Sequence, residues 1–139
     1  MEEEMTALAL RLNLQELSLS LIDLHRSLLR TQQRRHEQAH GAVAPARLLD
    51  LALLDPEFSW LRGFSGLIVA VDERLSDDAP IAVSEATAFR SRTERQLATD
   101  EAGLAERLRT AVQESPEVAI GLGRLRMALA DLPPPRAIA

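Results

Sequence analysis

The chain has 139 residues, close to the length of one ordinary domain, with 46% hydrophobic and 27% charged residues, a globular rather than a disordered composition. It contains no Cys and no Lys, which excludes thiol nucleophiles, disulfides, cysteine-held zinc or iron–sulfur clusters, P-loop lysines and Schiff bases. The formal net charge of -5 argues against a general nucleic-acid binder. Met1-Glu2-Glu3-Glu4 is unlike a secretory leader, and the apolar run 66–71 is too short to span a bilayer, so a cytoplasmic protein is expected.

Leu10, Leu14, Leu17, Leu21, Leu24 and Leu28 are spaced alternately four and three apart, a heptad seam that predicts one long helix over about residues 4–39. Acidic residues at its start and Arg30, Arg34 and Arg35 near its end suit the helix dipole, and Gly41 is the expected stop. A short helix is expected from Ala46 to Leu54, after Pro45. Asp55-Pro56 then caps a helix reaching about Ser76, with Phe58, Leu61, Phe64, Ile68, Val71 and Leu75 on one face. Asp77 to Pro80 reads as a loop. Ser84 can cap a fourth helix carrying Phe89, Leu97, Leu104, Leu108 and Val112, and whether Thr99-Asp100 breaks it is left open. Ser115-Pro116-Glu117 is a strong start signal for a last helix through Leu132, closed by three prolines and a frayed tail. The expected architecture is one all-α domain over 1–139, a helical bundle of four main helices plus one short helix.

The phrases Leu24-His25-Arg26, Glu37-Gln38-Ala39-His40-Gly41 and Asp55-Pro56-Glu57-Phe58-Ser59-Trp60-Leu61-Arg62, with the run from Gly63 to Glu73, resemble a family of short, all-helical bacterial proteins with no established activity. The resemblance implies a helical fold and no function.

Three features carry candidate chemistry. His36-Glu37-Gln38-Ala39-His40 fits H-E-x-x-H, whose spacing puts two imidazoles on one helix face with a carboxylate as general base for a zinc hydrolase. Against that reading, Arg34 and Arg35 precede it and no third ligand sits at a recognisable offset, although Asp55, Glu57, Asp72 or Glu73 can fold back. No stoichiometric zinc, and no other cofactor, is therefore expected. Arg26, Arg30 and Arg34 form a row suited to phosphate, but helix one offers no aromatic to stack a base, and a solvated helix C-terminus is the favoured account of the row. Asp72-Glu73 reads as a carboxylate pair at a core edge, answered by Arg62 or another Arg. Trp60 and Phe64 read as core anchors. Gly121-Leu122-Gly123 lacks the context of a dinucleotide fingerprint, and close helix approach is one explanation for it.

The remaining feature is a second apolar stripe on helix one, built from Leu12, Leu19, Ile22 and Leu29 with Leu8 beside them. A helix apolar on two sides is either sandwiched within its fold or packed on a partner. The leading expectation is a non-enzymatic helical interaction protein, a homodimer or an adaptor for another protein. The alternatives are the zinc hydrolase and an anion or nucleic-acid binder.

Overall fold

The computed structural model describes residues 2–135, with side chains from Thr6 onward; the expected frayed tail at 136–139 lies outside the described residues. It is all-helical. Six α-helices run in the order α1 (Glu2–His40), α2 (Pro45–Leu54), α3 (Arg62–Leu75), α4 (Val83–Ala98), α5 (Leu104–Glu114) and α6 (Pro116–Asp131). No described helix is long and apolar enough to cross a membrane.

The expected seam is the axis of the molecule. Leu14, Leu17, Leu21, Leu24 and Leu28 are fully buried and Leu10 nearly so. Along α1 they meet α6 and α3 over most of their length and α4 and α5 more briefly. One continuous apolar cluster results, reaching Phe58, Phe64 and Val71 on one side and Val118, Leu125 and Leu129 on the other.

α6 runs antiparallel to α1. Asn13 Nδ2 donates to Asp131 O (3.1 Å), Arg124 binds both Glu16 and Asp23, and Arg30 lies 3.8 Å from Glu117. At Gly121 an added Cβ would stand 3.6 Å from Leu24 Cα, so the two helix backbones approach closely there. Close approach does not explain Gly123, whose Cβ direction opens onto empty space.

The helix ends obey the sequence signals in part. Gly41, at φ +88°, takes the left-handed conformation that stops α1, and its N–H returns to Glu37 O at 2.7 Å. Ser115 Oγ accepts from Val118 N, with Pro116 in the first turn of α6, as expected. Asp55 accepts from Glu57 N at 2.8 Å and acts as a cap, also as expected. The segment it caps differs from expectation: residues Pro56–Leu61 form a 3₁₀ helix before α3 begins. The steps of three from Phe58 to Leu61 to Phe64 match the tighter 3₁₀ repeat, which keeps all three buried. Ser84 is not the cap of α4; Ala82 precedes that helix, and Ser84 sits in its first turn.

The expected count of four main helices and a short one is corrected to six. The fourth expected helix divides at Thr99-Asp100, where α4 ends and a 3₁₀ turn, Glu101–Gly103, intervenes. Ala102 (φ +54°) and Gly103 (φ +70°) both adopt left-handed backbone there, so no helix passes through. Leu104 and Leu108 can then be buried from a helix pointed independently of α4.

Between α3 and α4 the chain is held by arginines. Arg11 of α1 donates to Leu75 O, Asp77 O and Ala79 O, closing the carboxyl end of α3. Arg74 binds Glu85 and the carbonyls of Ala79 and Pro80. This lets Ile81 turn into the core.

Two substitutions test this packing by urea denaturation. Leu21→Ala, at a fully buried point of the seam, should cost about 2–5 kcal/mol. Gly123→Ala should stabilise by about 0.5–1 kcal/mol, because alanine loses less backbone entropy and meets nothing.

Candidate functional site

The H-E-x-x-H segment occupies the last turn of α1. Four-residue spacing stacks His36 and His40, with ring centroids 4.6 Å apart. The edge of Phe58, 5.9 Å from His36 between ring centroids, orients the His36 ring. Beyond Gly41 the chain runs through α2 and returns, and the Asp55 cap brings Glu57 back to the end of α1. His36 Nδ1 lies 3.5 Å from Glu57 Oε2. Ligand atoms of His36, His40 and Glu57 all fall within 4.8 Å of one another. Of the four carboxylates able to fold back, Asp55, Glu57, Asp72 and Glu73, the third group is Glu57, while Asp72 and Glu73 remain exposed on α3. The expected Arg62 partnership with those two is corrected: Arg62 donates to Asp55 O and Ala52 O instead.

Glu37 is placed differently from a hydrolase base. Its Oε1 accepts from Val43 N and from Gln33 Nε2, both at 3.2 Å, so the carboxylate holds the connection into α2. Nor do the neighbouring cations crowd the imidazoles. Arg35 makes a bidentate pair with Glu114 (2.7 and 3.1 Å), and Arg34 turns back to Thr31. The hydrogen bond from Arg35 holds the Glu114 carboxyl below its ordinary range. Arg107 is the nearby cation to reckon with, since its guanidinium reaches Glu57 O at 3.4 Å.

The arginine row is interleaved with carboxylates. Arg26 lies 3.9 Å from Asp23 and Arg30 lies 3.8 Å from Glu117, all four substantially exposed. Asp23 also binds Arg124. The groove between α1 and α6 therefore interleaves Arg26, Arg30 and Arg124 with Asp23 and Glu117, unlike the unpaired arginines of a phosphate-binding stripe.

The second apolar stripe of α1 divides in two. Leu12 and Leu19 are 55% and 52% exposed, and with Leu8 at 59% they lie opposite the buried seam. Ile22 and Leu29 are half-buried and line a groove of about 410 Å³ between α1 and α3, together with Ile68 and Val69. Trp60 and Phe64 are buried as expected, and Trp60 Nε1 donates to the buried Gln32 Oε1 at 3.1 Å.

That groove also contains a pair that no sequence spacing suggests. His25 Nε2 lies 3.1 Å from Ser65 Oγ. Forty residues separate them, and only the packing of α3 on α1 unites them. Burial disfavours the imidazolium and lowers the His25 pKa below its ordinary value.

No family model, curated protein or solved structure matches the chain. The chemistry open to it is therefore set by its own residues.

His25 makes stability depend on pH. Its folded pKa lies below the unfolded value of 6.5, so as pH falls the unfolded chain takes up the proton first. The contribution is fully present above about pH 7 and is lost as pH drops through 6.5 toward the folded pKa. The denaturation midpoint should therefore fall on going from about pH 7.5 to 5, and less steeply in His25→Gln. Equal slopes in the two proteins would show that His25 is not the group responsible.

Proposed function

We propose that the protein is a non-enzymatic helical interaction protein that pairs with a second copy of itself through the outer face of α1. The observation supporting this is the exposure of Leu8, Leu12 and Leu19 on the side of α1 opposite the core seam. The seam alone satisfies the fold, so three leucines in water along one line have no role inside the subunit.

An antiparallel arrangement suits this face best. With the two-fold axis beside Gln15 and Glu16, Leu12 of one chain meets the partner's Leu19, and the reverse contact arises by symmetry. These two reciprocal leucine contacts favour this register over neighbouring ones. Ile22 and Leu29, half covered by α3, stand at the margin of the contact rather than at its centre. A cytoplasmic bacterial setting belongs to the same proposal.

Light scattering at increasing concentration should give twice the mass of the 15.3 kDa chain. Leu19→Glu should give a folded monomer, because the substitution leaves the seam intact. Since the chain has no Cys, Leu12→Cys combined with Leu19→Cys should cross-link under oxidation in the proposed register. A wild type that stays monomeric at high concentration would eliminate the proposal.

A further inference from the structure

The end of α1 and the turn after α2 assemble a ligand set that sequence spacing does not reveal. Two imidazoles and one carboxylate converge from segments about twenty residues apart, and each is positioned by something other than its neighbours in the set. His36 is fixed by helix geometry and by the edge of Phe58, and its side chain is only 13% exposed. His40 lies one turn on, in the final residue of α1, where Gly41 stops the helix. Glu57 is set by the Asp55 cap on its own backbone N–H.

We propose that His36, His40 and Glu57 form a site for a divalent first-row transition ion of the zinc class. Two nitrogens and one oxygen are the donor set such ions accept, and a hard ion such as magnesium prefers oxygen alone. A tetrahedral ion bound at about 2.0–2.2 Å holds its ligand atoms roughly 3.4 Å apart. The His36–Glu57 pair already stands at 3.5 Å, so small rotations complete the set. His40 and Glu57 are both exposed and free to make them.

The electrostatics favour a cation here. The carboxyl end of a long helix carries partial negative charge, and the site lies in its last turn. Arg35 is neutralised by Glu114 and directed away. Arg107 contacts the backbone oxygen of Glu57 and not its carboxylate, and Arg62 is held by the carbonyls of Asp55 and Ala52. Three protein ligands leave a fourth position facing solvent. Glu37, engaged with Val43, is not placed to activate a water there, so the ion acts as a clamp between the end of α1 and the 3₁₀ helix.

The test uses the full chain without a His tag. Calorimetric titration with zinc should show one saturable site per chain, zinc should raise the melting temperature, and a chelator should reverse the shift. His40→Ala and Glu57→Gln should each weaken zinc binding by at least about tenfold, whereas His25→Gln should not. Both altered side chains are exposed, so far-UV circular dichroism should be unchanged in these variants. Cobalt, as a spectroscopic substitute, should give the intense visible bands of a four-coordinate ion, which aqueous cobalt lacks. Absence of saturable zinc binding to the wild type, or wild-type affinity in both site variants, overturns the proposal. Failure here leaves the pairing of α1 untouched, because that face shares no residue with this site.

Discussion

Six leucines spaced four and three apart commit α1 to a single buried line, and each other helix must bring its apolar residues to that line or to a helix already on it. α1 is 39 residues long, about 58 Å at 1.5 Å per residue, so no single partner covers it. α6 takes one flank and α3 the other, both meeting the same Leu21 and Leu24 region. The shorter helices α4 and α5 then close what remains. The seam is the largest surface on which α3 and α6 pack, ahead of their contacts with α4 and α5.

The second layer of order is polar, and it explains the use of arginine as the sole strong cation. Arg11 reaches three carbonyls around the end of α3, Arg74 binds a carboxylate and two carbonyls, and Arg35 forms a two-pronged pair with Glu114. A guanidinium can serve several acceptors from one plane, which a lysine ammonium cannot match. Arg74 Nη1 is nonetheless buried with no partner, as is Ser20 Oγ. Inside the core, Trp60 and Gln32 satisfy one another. An unpaired indole N–H at that depth would cost about 1–3 kcal/mol, so the contact fixes the 3₁₀ helix against α1.

The sequence made the fold legible wherever periodicity was long or a cap was chemically distinctive. The seam of α1, the glycine stop at Gly41 and the Ser115-Pro116 start all depend on local rules, and they appear where those rules place them. The division of the fourth expected helix was visible only as an ambiguity, because Thr99-Asp100 does not by itself forbid helix and the left-handed Ala102 carries no sequence signal. Leu12 and Leu19 are exposed while Ile22 and Leu29 of the same stripe are half-buried. Leu19 and Ile22 are about 60° apart around the helix, enough for α3 to cover one and leave the other in water. The candidate site was half legible. H-E-x-x-H is a local pattern, but Glu57 joins it through the return of the chain after α2, a path no spacing rule encodes. The His25–Ser65 contact was hidden for the same reason.

The two proposed surfaces occupy different parts of one rigid element. Leu19 and His36 are seventeen residues apart on α1, about 25 Å along its axis. In the proposed antiparallel register the two metal sites lie at opposite ends of the dimer. Arg26 and Arg30 lie between Leu19 and His36 along the helix. Their carboxylates, Asp23 and Glu117, belong to the α1–α6 contact rather than to the histidine site. These pairs and the roughly 9 Å of axis between Arg30 and His36 screen the pairing face from an ion at the end of α1. Any influence of one on the other must pass through the helix itself, by stiffening its final turn. Over about 25 Å of continuous helix such an effect is small, so zinc affinity and dimer strength should vary independently.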